Sequence, residues 1–128
     1  MKTVWITGGG SGIGKALALS FAVDGWDVVI SGRTEIRLKE VQSLSSKIRV
    51  IVCDITNKLE VQAAQREIGQ IDVAILNAGD YRPEATSRIS IKAHQNIFDV
   101  NYFGTLKCIQ AIMPQMKKSG GTLAIVAS

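Results

Sequence analysis

The stretch Val4-Trp5-Ile6-Thr7-Gly8-Gly9-Gly10-Ser11-Gly12-Ile13-Gly14 decides the fold of this chain. It passes from an apolar, β-branched run into a glycine-rich turn and then directly into a helical pattern. Glycines permit φ > 0 and let a ligand approach the backbone without meeting a Cβ. A helix N-terminus offers unpaired N–H groups and the positive end of its dipole. The stretch therefore predicts a strand, a turn and a helix that together cradle a phosphate group.

Strand-sized apolar runs alternate with helical patterns along the rest of the chain. This order requires parallel strands joined by right-handed crossovers, with helices on both faces of the sheet. It predicts α/β architecture: a doubly wound, Rossmann-like sheet of about five strands, incomplete, in a single domain spanning residues 1–128. Thr56 is the expected N-cap of the third helix, and Pro114 is expected to break the fourth helix early. The predicted strands are 2–7, 26–31, 49–53, 71–76 and 122–127, and the predicted helices are 13–24, 35–44, 56–68 and 91–116.

The composition of the chain is typical of a single globular domain. With 128 residues, 46% of them hydrophobic and 20% charged, the chain is long enough for one globular core. No apolar run reaches membrane-spanning length and no secretory signal precedes the first strand, so a cytoplasmic location is expected. The net charge of +4 is scattered, which argues against a nucleic-acid partner. Cys53 and Cys108 lack CxxC spacing, so we expect buried reduced thiols and no metal site.

Two phosphate-binding motifs compete for the glycine turn. Residues 9–16 nearly match the P-loop pattern GxxxxGK[ST], but Ala16 lacks the hydroxyl that would bind Mg²⁺. The strict GxGxxG fingerprint is also missing, since the glycines follow the spacing Gly8-x-x-x-Gly12-x-Gly14. A dinucleotide turn is favoured because the motif lies in the strand–turn–helix context that it requires. An ordinary glycine-rich turn and a P-loop nucleotide hydrolase are the alternatives.

The end of the second strand indicates which dinucleotide is bound. In a dinucleotide-binding unit this position lies beside the adenosine ribose, where a carboxylate accepts from the 2′-OH of NAD. The chain carries Ser31-Gly32-Arg33 there, with no acidic residue. A guanidinium offers a planar fork of donors to a 2′-phosphate. We therefore predict that NADP(H) is preferred over NAD(H); a solvated loop arginine is the alternative.

A succession of motifs resembles the short-chain dehydrogenase/reductase family over the whole chain. Residues 7–14 resemble its TGxxxGIG turn, and residues 53–56 resemble the stretch whose Asp and following backbone hold adenine. Residues 76–79 resemble its NAG motif, residues 100–104 its VNxxG segment, and residues 123–128 a fifth strand ending at the catalytic Ser. The cofactor-binding residues assigned from the turn, the strand ends and this resemblance are Gly8, Gly10, Ser11, Gly12, Ile13, Gly14, Arg33, Asp54, Ile55, Asn77, Ala78 and Gly79. The catalytic residues that it implies are Asn101 and Ser128.

Each motif also has a purely structural interpretation. Asp54 is a common residue type at the end of a strand, and Asn77-Ala78-Gly79 is compatible with a plain turn. Asn101 is compatible with a buried amide that satisfies the backbone of a distorted helix. The ordered co-occurrence of the motifs is what favours the family.

The resemblance implies hydride transfer between a nicotinamide and a carbonyl or alcohol substrate. A Tyr would act as general acid/base, assisted by a Lys, while the Ser holds the substrate oxygen. Neither Tyr81 nor Tyr102 has Lys four positions on, so a YxxxK pair is expected after Ser128. We therefore expect the N-terminal portion of a longer reductase, with little turnover alone. A non-catalytic NADP(H)-binding or sensing module is the alternative.

The predicted fourth helix carries more apolar residues than one sheet face covers. In the family this helix commonly pairs with its own copy, so the resemblance implies a homodimer or homotetramer through the helix around Asn101. His94 is expected to be a surface residue and not a ligand or base. Neither a nucleic acid nor a membrane is an expected partner. The apolar residues concerned are Phe98, Tyr102, Leu106, Ile109 and Met113.

Overall fold

The chain builds one sheet flanked by helices, as its alternating pattern predicts. The computed structural model describes residues 1–81 and 83–127, so Ser128 lies outside the described residues. A 3₁₀ turn (Thr86–Arg88) interrupts the loop that precedes the fourth helix. The elements in chain order are β1 (Thr3–Thr7), α1 (Gly12–Val23), β2 (Asp27–Ser31), α2 (Glu35–Gln42), β3 (Ile48–Val50), α3 (Lys58–Ile68), β4 (Val73–Leu76), α4 (Ile91–Phe98), a π-helical segment (Asp99–Gly104), α5 (Thr105–Ser119) and β5 (Thr122–Ile125).

The strand order β3-β2-β1-β4-β5 places the first strand at the centre of the sheet. All neighbouring strands are parallel, and their carboxyl ends are level, since Thr7 pairs with Ser31 of β2 and with Leu76 of β4. The chain runs outward from β1 to β3 and then crosses to the other side for β4. This reversal makes a switch point between β1 and β4, where open α/β sheets bind ligands. The prediction of a doubly wound, Rossmann-like sheet is confirmed.

Alternation along β1 divides the core between the two faces of the sheet. Val4 and Ile6 pack with buried residues of α1 and α2 on one face. Trp5 points to the other face and packs with buried residues of α3 and α5, including Ile112. Trp5 is completely buried, and its indole Nε1 donates to Ser31 Oγ at 2.9 Å. Helices therefore cover both faces, and the carboxyl edge of the strands carries the glycine turn.

The N-cap of α3 is Asn57, so the prediction of Thr56 was wrong. Asn57 Oδ1 accepts hydrogen bonds from the backbone N–H groups of Leu59 and Glu60 at 3.0 and 3.2 Å. The hydroxyl of Thr56 instead donates to Asp54 Oδ1 at 2.7 Å. Because that hydroxyl closes a turn with Asp54, the helix begins one residue later on the neighbouring amide.

The long fourth helix differs from its prediction in two ways. Residues 99–104 take π-helical geometry, and the backbone at buried Gly104 approaches Ile55 closely, since a Cβ there would lie 2.7 Å from Ile55 Cγ1. Pro114 lies inside α5, which continues to Ser119. The side-chain amide of Gln115 accepts from the N–H of Ile71 at 2.9 Å and donates to its carbonyl at 3.1 Å, so two bonds hold α5 beside the chain just before β4.

Two strands end earlier than expected. β3 stops at Val50, although the N–H of Cys53 still donates to the carbonyl of Gly32 at 3.0 Å. β5 stops at Ile125, and the N–H of Val126 donates to the carbonyl of Leu76 at 3.1 Å. After both strands the backbone is irregular at the carboxyl edge of the sheet, where the candidate site lies. None of the described helices is long and apolar enough to cross a bilayer.

Candidate functional site

The glycine turn brings three segments into van der Waals contact. Gly8 has φ +68°, and a Cβ there would lie 2.9 Å from the Cα of Ala78. A Cβ on Gly14 would overlap the carbonyl oxygen of Gly8 and lie 2.7 Å from Asn77 Nδ2. The first turn of α1 can therefore meet the end of β1 and the residues after β4 only when both positions are glycine. The side chain of Ser11 makes no capping bond with the described part of the chain, so the N-terminal N–H groups of α1 stay available.

Buried Thr7 ties the residues after β4 to this turn. Its Oγ1 accepts from the backbone N–H groups of Asn77 and Ala78 at 3.0 and 3.1 Å. The Asn77 Nδ2 in turn donates to the carbonyl of Gly8 at 3.1 Å. The Asn77-Ala78-Gly79 segment is therefore fastened to the glycine turn and is not a plain turn. Thr7 was not among the predicted site residues, because its role depends on a strand distant in sequence.

A cavity of about 160 Å³ opens at the carboxyl ends of β1 and β2. Arg33 and Arg37 line one side of it, and both residues are exposed. Arg37 was not among the predicted site residues; it lies in the first turn of α2, and its place at the cavity depends on how that helix packs beside the end of β2. Among the described lining residues, Asp54 is the one carboxylate. The other lining residues are Gly8, Gly10, Ser11, Ser31, Gly32, Thr34, Cys53, Ile55, Ala78, Gly79 and Val100.

Asp54, which also lines this cavity, lies in a tight local turn. Its Oδ1 accepts from the backbone N–H of Thr56 at 2.9 Å as well as from the hydroxyl of that residue. The backbone N–H of Asp54 donates to Glu60 Oε1 at 3.2 Å. Asp54 therefore does more than end a strand: it shapes the irregular segment that carries Ile55 into the cavity.

Both cysteines are buried and free, as predicted. Burial first, and then the nearby carboxylates of Glu60 and Asp54, raise the pKa of Cys53 to about 11. Burial likewise raises the pKa of Cys108 to about 12. Because the thiolate is the reactive form, Cys53 is an unreactive wall of the cavity at neutral pH.

A second, larger cavity of about 580 Å³ adjoins the first at Ala78 and Gly79. Asn101 lines it from the π-helical segment, where π-bulges frequently mark functional sites. The Asn101 Oδ1 accepts from the N–H of Asp80 at 2.6 Å, and its Nδ2 donates to the carbonyl of Asp80 at 2.8 Å. Asn101 is exposed and binds another segment, so the interpretation as a buried amide satisfying its own helix was wrong.

His94 lies on the surface, as predicted, and away from both cavities. Its ring is about half exposed, and Nε2 lies 2.7 Å from Glu84 Oε1. A hydrogen bond from the backbone N–H of Ser90, together with His94, lowers the pKa of Glu84. Within residues 1–81 and 83–127, no three His, Cys, Asp or Glu side chains cluster as a metal site would require.

The structure brings most predicted site residues together along one edge of the sheet. Gly12 and Gly14 line neither cavity; Gly14 acts through close packing, and Gly12 has φ +54° at the start of α1. Ser128 lies outside the described residues. Those that line the first cavity are Gly8, Gly10, Ser11, Arg33, Asp54, Ile55, Ala78 and Gly79, and those that line the second are Ile13, Asn77, Ala78, Gly79 and Asn101.

The strand order and the glycine turn define a Rossmann-like α/β protein. Comparison with known proteins narrows this class, because the family model for short chain dehydrogenases matches residues 2–128. The chain belongs to the short-chain dehydrogenase family. An uncharacterised oxidoreductase of Staphylococcus aureus (strain MW2) is 35% identical over 134 residues, covering 99% of this chain and 58% of the relative. The chain thus spans well under two thirds of the curated relatives that it matches.

Solved structures agree with this assignment. The structure of ElxO with NADP bound is 28% identical, with a TM-score of 0.88, and the match covers 99% of this chain and 55% of that protein. A 3-ketoacyl-(acyl-carrier-protein) reductase from Brucella melitensis, complexed with NADH, is also 28% identical. Its TM-score is 0.90, and the match covers 99% of this chain and 57% of that protein.

Proposed function

We propose that this chain is the NADP(H)-binding part of an oxidoreductase that transfers hydride between a nicotinamide and a carbonyl or alcohol substrate. The observation that carries the proposal is the pair of adjoining cavities at the sheet switch point, with arginines in one and Asn101 in the other. Residues 1–128 would form a single dinucleotide-binding domain. The NADP complex of ElxO and the NADH complex of the Brucella reductase support a nicotinamide cofactor.

The chemistry of the lining residues fits such a cofactor. Pyrophosphate would bind at the Gly8–Ser11 turn, where glycine keeps the backbone accessible and the N-terminus of α1 favours an anion. The adenine would lie against Asp54 and Ile55, and the adenosine ribose beside Arg33. When bound, the nicotinamide supplies the hydride.

The residues of this chain have distinct proposed roles in the reaction. Asn101 would position the wall of the second cavity through its two bonds to Asp80. Ser128 would hold the substrate oxygen by its hydroxyl. We propose that the complete protein supplies the general acid/base from a tyrosine outside residues 1–128, because neither Tyr81 nor Tyr102 has the Lys spacing of the family motif.

We expect the complete protein encoded by the gene to bind NADPH at least about tenfold more tightly than NADH. A hydrogen bond to a charged group contributes about 1.5–3 kcal/mol, so two guanidiniums facing a 2′-phosphate supply more than this difference. The double variant Arg33→Ala/Arg37→Ala should lose about 100-fold in NADPH affinity and leave NADH affinity within about threefold. Dissociation constants from fluorescence titration measure both effects.

The matched control is Arg66→Ala, which removes an exposed arginine of α3 that lines neither cavity. Equal affinities for NADPH and NADH would contradict the NADP preference. The same preparation, assayed for NADPH oxidation over a panel of aldehydes and ketones, tests the reaction. Tight binding without turnover on any member would favour the sensing module over the reductase.

We also propose that the complete protein is a homodimer or homotetramer assembled through α4, the π-helical segment and the start of α5. Phe98 is 59% exposed and Leu106 is 42% exposed, and three further large apolar residues share this surface. Several exposed large apolar side chains within 16 successive residues of helix favour an interface between subunits. The three further residues are Ile91, Tyr102 and Phe103.

The variant Phe98→Glu/Leu106→Glu should dissociate the protein to monomers, because charges at an apolar interface lose hydration without gaining partners. Multi-angle light scattering measures the molar mass. The control is Val23→Glu at the end of α1, a different helix, where the native side chain is 87% exposed. A wild-type monomer at micromolar concentration would contradict the proposal.

A further inference from the structure

We infer that Lys107 is a positioning residue for the adenosine end of the cofactor site, an inference that rests on the proposed function. Its Nζ donates to the carbonyl of Thr56 at 2.7 Å, joining residues that are 51 apart in sequence. Lys107 lies on α5, whereas Thr56 lies in the irregular segment between β3 and α3. The side chain thus crosses from the helix to the segment that carries Asp54 and Ile55.

This hydrogen bond differs in reach from the bonds that Asp54 makes within the segment. The bonds of Asp54 to Thr56 and to Glu60 span two and six residues, so they fix the local turn but not its place in the fold. The Lys107 bond fixes the turn relative to α5. It is partly buried and charge-assisted, which makes it stronger than a bond between neutral groups.

A second contact holds the same irregular segment against Gly104, the residue directly before α5. The backbone at Gly104 lies so close to Ile55 that a Cβ there would come within 2.7 Å of Cγ1. Ile55 is therefore pressed against the helix, while Thr56 is held by Lys107. Together the two contacts set the positions of Asp54 and Ile55 in the first cavity, which Arg33 also lines.

Lys107 touches neither cavity, so its loss should act only through this segment. Small displacements of binding groups have large effects because hydrogen bonds and packing depend steeply on distance. The affected ligands are those that contain adenosine. A nicotinamide mononucleotide places nothing against Asp54 or Ile55, so its use should not depend on Lys107.

The test compares Lys107→Met with wild type in the complete protein. Methionine keeps an unbranched stem and removes the ammonium group. We expect the dissociation constants of NADPH and of 2′,5′-ADP to rise about tenfold, with kcat at saturating NADPH within about twofold. The kcat/KM for reduced nicotinamide mononucleotide should stay unchanged. Lys107→Arg, which keeps a donor, should restore most of the affinity.

The control is Lys118→Met, an exposed lysine at the end of the same helix. Wild-type affinity in Lys107→Met would overturn the inference and leave the proposed function intact. An equal loss with the mononucleotide would also overturn it, because that loss would indicate a general structural role. If wild type binds neither NADPH nor 2′,5′-ADP, the proposed function itself is wrong.

Discussion

Gly14→Ala should weaken NADPH binding by more than about 100-fold, the largest effect that we expect on affinity. The new Cβ would overlap the carbonyl oxygen of Gly8 and lie 2.8 Å from the Gly8 carbonyl carbon. Both atoms belong to the backbone, so no rotamer change can relieve the clash. The first turn of α1 has to move away from the end of β1, which displaces the N–H groups proposed to hold the pyrophosphate. Fluorescence titration with NADPH measures the loss.

Overpacking in Gly14→Ala also lowers the free energy of unfolding, by about 1–3 kcal/mol. A matched control therefore has to lose stability while it keeps the glycine turn intact. Gly25→Ala provides one at the opposite end of α1. Gly25 has φ +86°, which strains any other residue, yet a Cβ there meets nothing within 4 Å. We expect both variants to melt earlier, while only Gly14→Ala loses affinity. Nearly normal NADPH binding by a folded Gly14→Ala would contradict the proposed phosphate site.

The sequence predicts the sheet and its binding edge because both follow from short-range patterns. Buried parallel strands are continuous apolar runs, and the helical patterns between them force parallel crossovers. Once the strands are parallel, their carboxyl ends meet at one edge. Residues far apart in sequence, such as Gly8, Arg33 and Asp54, can therefore be expected at one site.

Interactions between distant segments are what the sequence does not reveal. Thr7 accepts two N–H groups from residues that lie 70 and 71 positions later, and nothing near Thr7 indicates this. The N-cap of α3 depends instead on a local competition: Thr56 and Asn57 are both good caps, and the threonine hydroxyl bonds Asp54 two residues earlier. The π-helical segment makes another contact of the distant kind, since the backbone at Gly104 closely approaches Ile55.

Asn101→Ala should lower kcat of the complete protein by about 100-fold while the NADPH dissociation constant changes by less than about threefold. The substitution removes two short hydrogen bonds, 2.6 and 2.8 Å, that hold the backbone of Asp80. Asp80 follows Gly79 directly and lines the second cavity, where the substrate would meet the nicotinamide. The first cavity, proposed to bind the adenosine end, does not include Asn101. Steady-state kinetics with NADPH and a carbonyl substrate separate the two effects.

Two further variants decide whether this effect belongs to the amide itself. Asn101→Asp can still accept from the N–H of Asp80 but repels its carbonyl, so we expect a smaller loss, about tenfold. Gln95→Ala removes an exposed amide from α4 that lines neither cavity, and it should leave kcat unchanged. If Asn101→Ala weakened NADPH binding as much as it lowered turnover, the residue would support the whole site and not the reacting end. We expect a loss of kcat alone, smaller in Asn101→Asp than in Asn101→Ala. That result would follow if the two hydrogen bonds of Asn101 position Asp80 in the wall of the second cavity, beside the reacting carbon.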